Sequence, residues 1–187
     1  MQTHEFVLLV LKALGGEIKG KTKLQKSVYF LGIMTDFLDN LGYRPHFYGP
    51  YSDEVAHAVG FLRAIGVLDQ NVVSGPTSQA GFEVRRHDFR LNEQGKRLAD
   101  AKAAQYPEVW NCLATAAKTF RTAGELDYMR LSVAAKTYFL LGQKKGRTTE
   151  AQLSELASRF GWQVSATEIL DAAGYLQKLG LVQLIPH

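Results

Sequence analysis

Residues 15–22 read Gly-Gly-Glu-Ile-Lys-Gly-Lys-Thr and match G-x-x-x-x-G-K-T, the pattern of a phosphate-binding loop. That chemistry needs backbone N–H groups curled round phosphates, Lys21 on the β- and γ-phosphates, and the Thr22 hydroxyl on Mg²⁺. A buried strand must lead into such a loop. Here Phe6, Leu9, Val10, Ala13 and Leu14 recur with the period of a helix. Ile18 is β-branched where the loop needs permissive residues. No apolar strand ending in a Mg²⁺-holding Asp follows; Ala64 to Asp69, the nearest candidate, belongs to a helix end. A flexible basic connection between helices is the favoured reading, with ATP binding at Lys21 as its competitor.

Other reactive patterns are weaker. The five histidines (4, 46, 57, 87 and 187) have no metal-ligand spacing. The single cysteine, Cys112, excludes an intrachain disulfide and reads as a small packed residue beside Trp110 and Leu113. No Ser/His/Asp set and no carboxylate pair follows from spacing. The expectation is a non-enzymatic protein with no cofactor and no metal site.

Two groups of residues suit binding. Tyr43, His46, Phe47, Tyr48 and Tyr51 cluster around Gly49-Pro50. They either pack the connection onto the core or form a recognition surface, with His46, Tyr48 and Tyr51 facing a partner. Basic residues gather at Lys19, Lys21, Lys23 and Lys26, at Arg85, Arg86, Arg90, Lys96 and Arg97, and at Lys136, Lys144, Lys145 and Arg147. They are either solvated faces or phosphate contacts.

The elements that position these groups are mostly helices. A first helix ends at Gly15-Gly16. A second starts at Thr22, where Thr22 and Gln25 fit a capping box, and ends at Gly32. A connection over 33–51 follows. Ser52 caps a third helix burying Val55, Ala58, Val59 and Leu62, with Gly66 at its C′ position. Val67-Leu68 opens a strand, Gly75-Pro76 and Gly81 mark a polar loop, and Phe82 to Leu91 returns, with a bulge near His87. Asn92 caps the next helix and Pro107 opens another, which Gly124 ends. Further helices are expected over 125–142, 149–160 and 165–179, then a terminal strand over Leu181–Ile185.

Helix, helix, helix, hairpin is the winged helix-turn-helix plan. EVAHAVGFLRAIGV (Glu54–Val67) also aligns with EILDAAGYLQKLGL (Glu168–Leu181), which argues for a second copy. Trp162-Gln163-Val164 separates its two helices, and Ser165 with Glu168 forms a capping box. The expected fold is mainly α with small β-hairpins: tandem winged-helix units bridged by helices. Residues 1–104 would form the first unit; 105–187 would form the helical bridge and a second, shorter unit.

KLQKSVYFLG (23–32), HFYGPYSDEV (46–55) and FRLNEQGKRL (89–98) resemble a family of prokaryotic winged-helix proteins. More distantly, the Leu-Gln-Lys…Tyr and Tyr-Gly-Pro elements resemble the Panacea antitoxin domain. The resemblance spans about the first 100 residues. It implies a winged-helix fold and, through Panacea, a toxin-neutralising role.

With 187 residues, 46% of them hydrophobic, the chain can bury a real core. The longest apolar run, Phe6 to Leu11, is far short of the ~20 residues a membrane span needs. The start has no basic n-region, so a cytoplasmic, non-membrane protein is expected. The net charge is +4. Residues 1–93 hold 10 basic and 10 acidic side chains, and 94–187 hold 12 and 8. Both candidate reading helices are acidic, opening Ser52-Asp53-Glu54 and carrying Glu168 and Asp171. The charge therefore favours backbone contact over base reading.

The expected function is DNA binding or transcription regulation through Lys19, Lys21, Lys23, Lys26, Arg85, Arg86 and Arg90. Replacing Arg85 and Arg86 by Ala should weaken binding and flatten its salt dependence. The alternative is an antitoxin-like or defence-associated interaction subunit using the turn at His46, Tyr48 and Tyr51. A protein partner and a homodimer are both compatible with the sequence.

Overall fold

A computed structural model describes residues 1–77, 83–144 and 147–185. Gly81, Phe82, Lys145 and His187, which the sequence reading used, lie outside the described residues. The chain is mainly helical with one small antiparallel sheet.

Helix α1 (Thr3–Ala13) is the centre of the fold. Phe6, Val7, Leu8, Leu9, Val10 and Leu11 are all buried, so this helix is covered on every side. Glu5, 8% exposed near its start, accepts from Lys102 Nζ at 2.5 Å and from the Tyr106 hydroxyl. Those hydrogen bonds and the Lys102 charge overcome the opposing effect of burial and hold the Glu5 carboxyl below its usual range.

Strand β1 (Glu17–Lys19) and helix α2 (Lys21–Met34) come next. The segment read as a flexible connection thus contains a strand, formed because β3 gives it a partner. The element leading into residues 15–22 is a helix, which is not the geometry of a phosphate-binding loop. Gly20, at φ +99°, precedes α2 without any side-chain cap. The expected Thr22–Gln25 capping box is not formed, because the Gln25 amide is committed to Ser52.

A 3₁₀ turn (Leu38–Leu41) leads to helix α3 (Asp53–Ala64), capped by Ser52 as expected. Strands β2 (Leu68–Thr77) and β3 (Glu83–Leu91) follow. The sheet order is β1-β3-β2, all antiparallel. Ile18 faces Phe89, and Leu68 faces Leu91, on the core side. Strand β2 runs through Gly75 and Pro76, which the sequence placed in a loop. The irregularity lies between Ser74 and Thr77, where proline has no N–H to offer the ladder. His87 itself pairs regularly with Val72, so the bulge expected there is absent.

Helices α4 (Glu93–Gln105) and α5 (Pro107–Thr122) begin at Asn92 and Pro107 as read. Then come α6 (Tyr128–Gly142), α7 (Glu150–Arg159) and α8 (Ala166–Lys178). Helices α3 and α8 end alike. Val67 N–H donates to Leu62 O and Leu181 N–H to Leu176 O, each beside a glycine at φ +74° or +73°. The likeness stops there: residues 181–185 form no strand. The described residues contain one sheet, and it provides this segment with no partner.

The main apolar cluster runs from α1 through α2, α3, the sheet and α5 to Tyr175 and Leu176 of α8. A smaller cluster of Leu140, Leu153, Ala157, Trp162, Val164 and Ile169 joins α6, α7 and α8. Among the described residues no helix is long and apolar enough to cross a membrane.

Candidate nucleic-acid interface

The sheet sorts the basic residues by face, because neighbouring side chains along a strand point to opposite sides. Lys19, Arg86 and Arg90 share the outer face with Glu17, Asp88 and Asp69. The register sets Lys19 opposite Asp88 and Arg90 opposite both Glu17 and Asp69. Arg86 grips Asp88 in a two-pronged fork, Nε to Oδ1 at 2.8 Å and Nη2 to Oδ2 at 2.9 Å. Three cations thus meet three carboxylates, and this face is balanced.

The opposite face differs. Arg85 and His87 alternate onto the same side as Phe89 and Leu91. Gly20 N–H donates to His87 O at 3.0 Å, which brings the start of α2 to this strand. Burial depresses the His87 pKa, and the charges of Lys21, Arg63 and Arg85 depress it further. Gln70 Nε2 lies 2.5 Å from His87 Nδ1. An amide nitrogen can only donate, so Nδ1 is the acceptor and neutral His87 carries its proton on Nε2. Cations from α2, α3 and β3 therefore converge on one corner. Phe61 on α3, Ile65 just after its end and Val72 on β2 are each about half exposed.

Arg63 stands in the last turn of α3, the end of the helix that leads into the hairpin. The acidic start of α3 is partly answered by the connection before it. Asp53 pairs with Arg44, and the Glu54 carboxylate lies where a Cβ on Gly42 would fall, 2.8 Å away.

Lys23, in the first turn of α2, pairs with Glu125 at 2.5 Å. Lys26 departs from the expectation altogether. It is 1% exposed and donates to the Pro50 carbonyl at 2.5 Å, so it cannot reach a phosphate. Burial, reinforced by the Lys136 charge, lowers its pKa to about 7.

The aromatic turn both packs and projects. Arg44 and Tyr51 close it as a bridge, with Gly49 at φ +90° between. A Cβ on Gly49 would fall 2.9 Å from Lys136 Cγ, so α6 presses against the turn. Gln25 Nε2 donates to Ser52 O at 2.8 Å, and Ser52 N–H donates back to Gln25 Oε1 at 3.1 Å. The Tyr43 hydroxyl donates to Gln25 O at 2.6 Å. The Leu-Gln-Lys and Tyr-Gly-Pro-Tyr-Ser motifs are thus two sides of one hydrogen-bonded unit. Tyr51 is half-buried beside His46, whose ring is exposed. Phe47 and Tyr48 stand out at 72% and 46% exposure, their rings edge to face at 5.1 Å.

Among the described residues no cluster of His, Cys, Asp or Glu could hold a metal ion. No family model and no curated protein matches the chain.

Proposed function

We propose that the first unit is a winged helix that binds duplex DNA through its backbone, in a regulatory and non-enzymatic role. The order α1–β1–α2–α3–β2–β3, with β1 on the outer side of β3, supports that reading of the fold. The observation that carries the function is the convergence of Lys21, Arg63 and Arg85 on the corner between α3 and the hairpin. Helix and wing flank such a corner, and phosphates are what clustered cations neutralise. Base reading has little support, since α3 opens on Asp53 and Glu54.

The test is fluorescence anisotropy with random-sequence duplex at several salt concentrations. Lys21→Ala, Arg63→Ala and Arg85→Ala should each weaken binding about three- to tenfold and lower the salt slope by about 1. Replacing Arg86 and Asp88 together by Ala removes a neutral pair and should leave affinity within about twofold. Absence of salt-dependent binding to any duplex defeats the proposal.

A second reading, an antitoxin-like interaction subunit, is favoured by the projecting Phe47 and Tyr48. Exposed aromatics on a braced turn suit the centre of a protein interface. A partner that stays bound in high salt, and is lost with Phe47→Ser and Tyr48→Ser, supports it. No loss on those substitutions removes it.

A further inference from the structure

A cavity of about 480 Å³ lies where Ile18 and Lys19 of β1 and α2 meet the α5–α6 connection and α8. Its walls are apolar, chiefly Leu14, Ile18, Phe120, Leu126 and Leu131. Its rim carries Lys19, Lys23 and Arg121 with Glu17 and Glu125. Ser27 and Tyr175 also line it. They are 1% and 7% exposed, and neither side chain has a hydrogen-bond partner among the described residues. Thr137 Oγ1 is the one described side-chain atom both sealed from solvent and unpaired, so the Ser27 and Tyr175 hydroxyls each touch open space. Each hydroxyl is therefore free to bond water or a bound molecule.

The rim shows what charge the cavity favours. The Glu125 side chain is 85% exposed, so it is a free-swinging group, yet its carboxylate rests on Lys23 Nζ at 2.5 Å. The hydrogen bond and charge of Lys23, and then the charge of Lys19, hold the Glu125 carboxyl below its usual range. A carboxylate at the mouth is therefore stabilised by two cations from two elements. Arg121, also on the rim, donates to the Ala13 carbonyl.

We propose that this cavity binds a small amphipathic carboxylate. Its aromatic or short aliphatic body lies against Ile18, Phe120 and Leu131, its carboxylate displaces Glu125 from Lys23, and Ser27 and Tyr175 bond a polar atom on the body. The volume suits a one- or two-ring acid. The site stands whether or not the protein binds DNA, because it uses neither the α3 face nor the hairpin corner.

The experiment is calorimetric titration of the full chain with 1-naphthoate and with its neutral isostere 1-naphthamide. The acid should bind at one site, and the amide about tenfold more weakly. Lys23→Gln should weaken the acid by about the same factor and leave the amide unchanged. Glu125→Gln, on the exposed rim where folding is not at risk, should tighten the acid severalfold by removing its competitor. Tyr175→Phe should weaken both. Equal binding of acid and amide, or unchanged acid binding in both Lys23→Gln and Glu125→Gln, overturns the proposal, as does no saturable heat at millimolar acid.

Discussion

The indole Nε1 of Trp162 donates to the backbone carbonyl of His46 at 2.7 Å, which ties the α7–α8 turn to the aromatic turn before α3. The ring is 2% exposed and packs against Phe139 and Phe160, with centroids 5.7 and 5.2 Å away. The Lys136 ammonium lies 5.5 Å from its centroid. Trp162→Phe keeps most of the packing and loses the bond, so it should cost about 1 kcal/mol. Trp162→Ala should cost about 3–5 kcal/mol. Urea midpoints check both: a Phe variant level with the wild type would mean that the bond contributes nothing, and an Ala variant level with the Phe variant that the ring packing contributes nothing.

Lys26 makes stability depend on pH. Its folded pKa of about 7 lies below its ordinary 10.5. Below about pH 7 both folded and unfolded chains carry the proton, and the cost of burying the charge is borne in full. Between those values the unfolded chain holds a proton that the folded chain lacks. Stability therefore rises with pH across that window, by at most about 1.4 kcal/mol per unit. The nearby Lys136 charge acts in the same direction. Lys26→Met should be more stable than the wild type at pH 6 and should lose the rise toward pH 9. Parallel pH profiles for the two proteins would contradict this.

Asp88 restrains the outer face of the hairpin. Asp88→Asn would release Arg86 from its fork and remove a charge opposite Lys19. DNA affinity at low salt should rise about three- to tenfold, with a steeper salt slope. Unchanged affinity would mean that this face never approaches the phosphates.

Two glycines should respond oppositely to the same methyl group. A Cβ on Gly95 would fall 2.0 Å from Val67 O and 3.2 Å from Leu91 Cδ2. Gly95→Ala must force α4 away from the α3–β2 junction, at a cost of about 2–3 kcal/mol or more. Gly60 lies on the exposed face of α3 with nothing within 4 Å of its Cβ position. Gly60→Ala should stabilise by about 0.5–1 kcal/mol through helix propensity. Thermal melts of the two variants check both signs.

Helix ends were legible because caps are local: Ser52, Asn92, Pro107 and Ser165 each do what their type and place imply. What failed was long-range. Thr22 and Gln25 have the spacing of a capping box, but Ser52, distant in sequence, claims the Gln25 amide. Glu17-Ile18-Lys19 is too short to show alternation, and only β3 makes it a strand. Lys26 looked like surface because lysine usually is surface; nothing local reveals that Pro50 covers it. The pairing of Arg86, Asp88 and Arg90 on one face was within reach, since residues two apart on a strand share a side. Applying that rule to the basic cluster would have set Arg85 apart from Arg86.

The sheet also dictates an order of assembly. Strand β1 is made first but lies beside β3, so during synthesis it has no ladder partner until the chain has emerged as far as Leu91. Helices α1 and α2 can form before that, while β1 must wait for a loop of some seventy residues to close. A chain cut before β3 would leave Ile18 without its partner strand beside the apolar run Phe6–Leu11 of α1. The sheet is therefore complete only once β3 has emerged, with its earliest strand among the last parts to settle.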